Sequence, residues 1–296
     1  MKVLKFGGTS VGSVESLRNV KQIVESCSGQ VMVVVSALGG VTNQLIEMTR
    51  RAMAHDETYE IMLEEVRQRH YDVIAGVVPA PLQAQCRAIV EQFADDNLRS
   101  FYSMLFLNPG LPADDVARIK DAIVAHGEIM SSAIVTCLIE DAEPHFSPNF
   151  IKTHLVDDRH TLDAELTRRL IVEELGSSKA QCVVMQGFIA DDADTGQKSN
   201  LGRGGSDFTA ALVAAALDAD CLEIWTDVDG FMTADPRTHP DATVIPEMTY
   251  AQAQQMCDAG AKVIYAPTLR PVAARGIPVW VKNTFNPSAP GTVIRN

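Results

Sequence analysis

The chain opens with a pattern that few folds accommodate. Lys2 to Phe6 is a short apolar run that stops at Gly7-Gly8, and 30–36 reads Gln-Val-Met-Val-Val-Val-Ser, an almost unbroken β-branched run. Between them Val14, Leu17, Val20, Ile23 and Val24 recur at helical spacing, with Ser13 placed to cap the helix. Strand, glycine loop, helix, strand is a βαβ unit. Continuous apolar strands, rather than alternating ones, suit a parallel sheet covered on both faces by helices.

The remaining segments extend that reading. From Val41 to about Ile139 the pattern is helical. Tyr59, Met62, Val66, His70 and Val73 fall on one stripe, and Phe93, Leu98, Phe101 and Leu105 on another. Asn108-Pro-Gly-Leu-Pro interrupts this stretch, and 113–138 resumes it. Strands are predicted weakly at 146–150, then at 182–187, 222–226 and 277–282, with a last one after the turn at 289–291. A hairpin tip is predicted at 191–199, and helices at 206–217 and 249–259. The predicted fold is an α/β, three-layer αβα sandwich around a mainly parallel sheet, with an all-helical insertion in the N-terminal part.

Charge narrows the function classes. With 25 Lys and Arg against 38 Asp and Glu, the formal charge is −13. Such a chain has no general attraction for nucleic acid or anionic lipid, although a local basic pocket for a small anion is compatible with it. Six cysteines without any CxxC spacing read as buried, reduced thiols. No apolar run reaches the roughly 18 residues of a membrane span, and the N-terminal run is too short for a signal peptide. These features predict a cytoplasmic protein.

Two loops carry glycine together with a cation. Lys5-Phe-Gly-Gly-Thr-Ser10 ends a strand and enters a helix. Its backbone N–H groups could face an anion, or it could be only a tight turn. The wording fits neither GxxxxGK[ST] nor GxGxxG. Asn200-Leu-Gly-Arg-Gly-Gly-Ser-Asp207 repeats the theme before a second helix, where Ser206 or Asp207 could equally be an ordinary cap. Three glycines around Arg203 exceed what a cap needs. Two such loops in an acidic chain imply two anionic groups held close together.

Trp225-Thr-Asp-Val-Asp-Gly230 follows a strand, where α/β sheets bind ligands. It lacks the spacing of a calcium loop. Gly260-Ala-Lys-Val263 places Lys262 between small apolar residues, and Ser36 to Asn43 and His126-Gly-Glu128 are softer signals.

Taken in order, Lys5-Phe-Gly-Gly-Thr-Ser, Gly202-Arg-Gly-Gly-Ser-Asp, Trp225-Thr-Asp-Val-Asp-Gly, Asp235-Pro-Arg and Gly260-Ala-Lys-Val resemble the aspartokinases of the amino acid kinase superfamily, over residues 2 to about 294. The resemblance implies an amino-acid-binding lobe over 1–200, a nucleotide-binding lobe over 201–296, and ATP-dependent phosphorylation of the L-aspartate side chain with Mg²⁺. It implies that Lys5, beside the amides of Gly7 and Gly8, meets the transferring phosphoryl group. Arg203 would clamp the substrate α-carboxylate and Glu128 its ammonium. Ser36, Thr42, Phe188 and Ser206 would line the aspartate pocket. Asp207 would orient Lys5 and Lys262 or help place the metal. Ser10, Thr226, Asp227, Met232, Arg237 and Lys262 would surround the nucleotide. No side chain is assigned to the metal itself. Met232 stands where these proteins commonly carry an aromatic residue, and Tyr265-Ala-Pro departs from their usual His-Pro.

An ionised carboxylate acceptor needs no general base, which agrees with the absence of a His-Asp element. It does need cations, because an anion attacks an anion. Kinases of the same superfamily acting on glutamate, acetylglutamate, carbamate or UMP are the nearest alternatives, and a non-catalytic ligand-binding module is the alternative from another class. Aspartokinases usually continue into ACT domains, and some into homoserine dehydrogenase. The chain ends at Asn296, so the expectation is activity indifferent to lysine or threonine, with self-association left open.

Overall fold

The computed structural model describes residues 1–157, 159–234, 238–239 and 241–296. The opening unit is β1 (Lys2–Phe6), α1 (Val14–Glu25) and β2 (Val31–Val35). Ser13 caps α1 through a reciprocal box with Ser16. The helical excursion is α2 (Val41–Met53), α3 (Thr58–Val77), α4 (Ala80–Glu91), α5 (Arg99–Leu107) and α6 (Ala113–Leu138), with a π-helical stretch at Gln92–Leu98 between α4 and α5. There follow β3 (Ala142–His145), β4 (Lys152–Val156), β5 (Arg159–Leu162) and α7 (Ala164–Leu175). Next come β6 (Cys182–Gln186), β7 (Ile189–Asp192), β8 (Lys198–Asn200), α8 (Gly205–Ala216) and β9 (Cys221–Thr226). The chain closes with β10 (Glu247–Met248), α9 (Tyr250–Asp258), α10 (Leu269–Ala273), β11 (Val279–Asn283) and β12 (Thr292–Ile294).

Eight strands form one sheet in the order β10-β12-β11-β9-β1-β2-β6-β3. Every pair in it is parallel except β11 with β12. Side-chain alternation divides the core as a two-sided sheet requires. Leu4, Phe6, Val31, Val33, Val35 and Val184 pack under α1 to α6. Val3, Met32, Val34, Val183, Ile224 and Val281 pack against the α8, α9 and α10 side. The sandwich is therefore as the sequence implied.

The segment at 146–150 is not a strand. Ser147–Asn149 forms a 3-10 turn containing Pro148, and the edge strand lies just before it at β3. Ser147 N–H donates to Gln186 Oε1 at 3.0 Å, which fixes the turn to the end of β6. A second sheet, β5-β4-β7-β8, was not foreseen beyond its β7–β8 hairpin. By length and composition α6 could cross a membrane, contrary to the sequence reading, yet it is mostly buried inside this fold.

Candidate functional site

The ends of β1, β2 and β6 open onto a cleft of about 350 Å³. Lys5, Ser36, Thr42, Glu128, Phe188, Ser206 and Asp207 all line it, together with the backbone of Gly8, Gly39, Gly40 and Gly202 to Gly205 except Arg203. Both glycine loops thus reach one site.

Close backbone approach explains the glycines. A Cβ on Gly8 would sit 3.0 Å from Ala37 O, and one on Gly39 would sit 3.0 Å from Gly8 O, so the loops after β1 and β2 pack main chain on main chain. Gly127 in α6 has the same cause: its Cβ would be 2.9 Å from that of Ala37. The neighbouring Glu128 then accepts the Ala37 N–H at 3.1 Å.

Two helices begin at the cleft. Gly40 at φ 86° precedes α2 and Gly204 at φ 71° precedes α8. Neither start has a side-chain cap, in contrast to the fully capped α1. Unspent N–H groups and the positive ends of two helix dipoles therefore face the same space. Phe188, on the cleft wall, holds a left-handed φ of 69°, a strained conformation for an aromatic residue.

Lys5 Nζ lies 2.7 Å from Asp207 Oδ1 in the first turn of α8. The other oxygen of Asp207 accepts the Tyr265 N–H at 3.3 Å. The Tyr265 ring rests on Gly204, where any Cβ would overlap its Cβ and Cγ. Tyr265 is thus a site residue that the sequence reading noted only as a departure. A bulky side chain 61 positions from Gly204 gave no local signal of this contact.

Glu128 is the buried carboxyl of the cleft. It is 4% exposed, and its Oε2 has no hydrogen-bond partner. Desolvation, only partly offset by the Ala37 N–H and by Lys5, pushes its carboxyl up to about 8. An unsatisfied buried carboxyl aimed into a cleft suits a cationic ligand group. His126, two residues earlier, is a core residue: Nδ1 lies 2.6 Å from Ala122 O, and burial lowers its pKa.

Several expected roles are revised. The Gly7 N–H is spent on Trp225 O at 3.2 Å, so only the Gly8 amide remains near Lys5. Ser10 is fully buried, with Oγ 3.2 Å from Trp225 O and 2.7 Å from Thr284 Oγ1. It ties the first loop to the ends of β9 and β11 and cannot reach a ligand. Arg203 sits on the rim with its side chain exposed and without an ion pair among the described residues, and it is absent from the lining. Lys262 is exposed and is not bound by Asp207. Thr226 ends β9 and Asp227 and Met232 follow it, all outside the cleft, though Trp225 O ties this strand to the Gly7 loop. Arg237 lies outside the described residues. Among the described residues no group of three or more His, Cys, Asp and Glu could hold a metal.

The sequence profile of the amino acid kinase family matches residues 1–283. The chain is 31% identical to lysine-sensitive aspartokinase 3 of Escherichia coli, covering 99% of this chain and 64% of that protein. It is 30% identical to the bifunctional aspartokinase/homoserine dehydrogenase of Buchnera aphidicola, covering 99% of this chain and 36% of that one. The chain thus spans about a third of its bifunctional relatives. Among solved structures, E. coli aspartokinase III in complex with aspartate and ADP superposes with a TM-score of 0.89 at 30% identity, over 100% of this chain and 64% of that one. Sequence and fold agree along nearly the whole length, and this chain belongs to the amino acid kinase family.

Proposed function

We propose that the chain is the kinase portion of an aspartokinase, transferring the γ-phosphoryl group of ATP to the side-chain carboxylate of L-aspartate. The observation that carries this reading is the Lys5–Asp207 pair held at 2.7 Å where two uncapped helix starts meet the unsatisfied Glu128. The similarity to a solved aspartokinase bound to aspartate and ADP supports it.

In the reaction a carboxylate oxygen of aspartate forms a bond to the γ-phosphorus, and the bond from that phosphorus to its bridging oxygen breaks, releasing ADP. The acceptor is ionised at neutral pH, so no proton is removed from it. Lys5 and the α2 and α8 amides offset the repulsion between the two anions. Glu128, kept protonated by burial, gives up that proton as it receives the substrate ammonium, and Arg203 swings from the rim onto the α-carboxylate. The lobe over 1–200 supplies most of the amino-acid side, joined by Arg203 and Ser206 from the start of the second lobe, and the rest of 201–296 supplies the nucleotide side through the loop that follows β9. Mg²⁺ bound with the nucleotide would supply charge neutralisation, and Asp207, beside Lys5 in the cleft, is the carboxylate that would help place it.

The test is ADP release in a coupled assay with aspartate, glutamate, acetylglutamate, carbamate and UMP. Turnover confined to aspartate is expected. Turnover with another acceptor alone, or ligand binding without turnover, would overturn the proposal.

A further inference from the structure

A second cavity, of about 420 Å³, runs between α7 and the segment 267–275, with α8 as its floor. It shares no lining residue with the cleft. Ile171, Phe208 and Leu212 give it an apolar interior, and its rim carries Arg168, Arg270 and Arg275, with no acidic residue in the lining. Arg168 and Arg270 have exposed side chains and make no ion pair among the described residues, and Arg275 reaches Asp218 at 3.3 Å. In a chain of charge −13, three guanidinium groups around one apolar groove run against the character of the surface. Its volume lies within the roughly 300–1,000 Å³ of small-molecule sites.

We infer that this groove binds a small amphipathic anion, with its aliphatic or aromatic tail on Phe208 and Leu212 and its carboxylate or phosphate on Arg168 and Arg270. Guanidinium forks match both head groups in bidentate geometry, and the apolar floor favours a ligand with a tail over a bare ion. The cleft and its proposed chemistry play no part in this assignment.

Calorimetric titration of the intact chain with octanoate, octyl phosphate and octylammonium tests it. One saturable equivalent of either anion, weakened by salt, is expected, with no saturable binding of the cation. The double variant R168Q/R270Q changes only exposed side chains. It should weaken anion binding by about tenfold or more, as loss of a charge-assisted contact implies. Absence of saturable anion binding, equal binding of octylammonium, or an unaltered affinity in the double variant would each refute the site. So would sedimentation showing self-association of the wild type that R168Q/R270Q abolishes, since the groove would then be an interface between copies.

Discussion

Lys5 at the end of β1 and Asp207 in the first turn of α8 form an ion pair of 2.7 Å, with both side chains largely buried. The pair fixes a cation beside the two helix starts, where charge builds up in phosphoryl transfer. Lys5→Ala should lower kcat by about a hundred- to a thousandfold, the range for loss of one preorganised electrostatic contact. Aspartate affinity by calorimetry should change far less. An unchanged kcat would remove Lys5 from the mechanism.

Glu128 gives the fold a pH signature. In the unfolded chain its carboxyl titrates near the ordinary value of about 4.3. In the folded chain burial pushes it up to about 8. Between those values the folded state holds the extra proton, so the Glu128 contribution to stability falls as pH rises through that window. Glu128→Gln can still accept the Ala37 N–H and cannot ionise. Thermal melts should show it gaining on the wild type between about pH 5 and about pH 8. Parallel stability curves for the two proteins would contradict the assignment.

Arg203 offers a clean separation of binding from folding. Its side chain is exposed and has no ion pair among the described residues, so Arg203→Ala should leave Tm unchanged. If the guanidinium closes on the substrate carboxylate, KM for aspartate should rise about tenfold or more. Arg203→Lys should recover only part of this, because a point charge cannot reproduce a bidentate fork. A wild-type KM in the alanine variant would exclude the clamp.

What could be read from sequence followed from local signals. The β-branched run of β2 and the spacing of α1 depend on neighbouring residues alone, so fold class and the helical insertion were legible. Lys5 and Asp207 were legible as cleft residues because glycine clusters flank them, and Glu128, more weakly, because the lone Gly127 precedes it inside a helix. The second sheet was not, since β4 and β5 are short, partly exposed strands without a continuous apolar run. The burial of Ser10 and the contact of Tyr265 with Gly204 were not legible for another reason. Their partners, Trp225, Thr284 and Gly204, are distant in sequence, and only packing brings them together.

Ser10 should behave as a structural residue. Ser10→Ala leaves the buried Thr284 hydroxyl without its 2.7 Å partner, a loss of about 1–3 kcal/mol of stability. KM for ATP should be nearly unaffected at temperatures where the variant is folded. A raised KM with an unchanged Tm would return Ser10 to the nucleotide site.

Gly204 and Tyr265 form the most sensitive packing contact of the site. At Gly204 a side chain faces two independent penalties. The left-handed φ of 71° costs a non-glycine residue roughly 1–2 kcal/mol, and the new methyl would overlap the Tyr265 ring. Because the Tyr265 N–H also holds Asp207, any shift of the ring is passed to Asp207 and from it to Lys5. Gly204→Ala should therefore lower both Tm and kcat. Adding Tyr265→Ala removes the ring but leaves the Cβ of residue 265 in the way and the backbone strained, so the double variant should regain only part of the lost stability while kcat stays low. The two sites should couple in a double-mutant cycle, as contacting residues do. Tyr265→Phe should resemble the wild type, since the hydroxyl makes no hydrogen bond among the described residues. Additive effects of Gly204→Ala and Tyr265→Ala on both Tm and kcat would show that the ring does not position the start of α8.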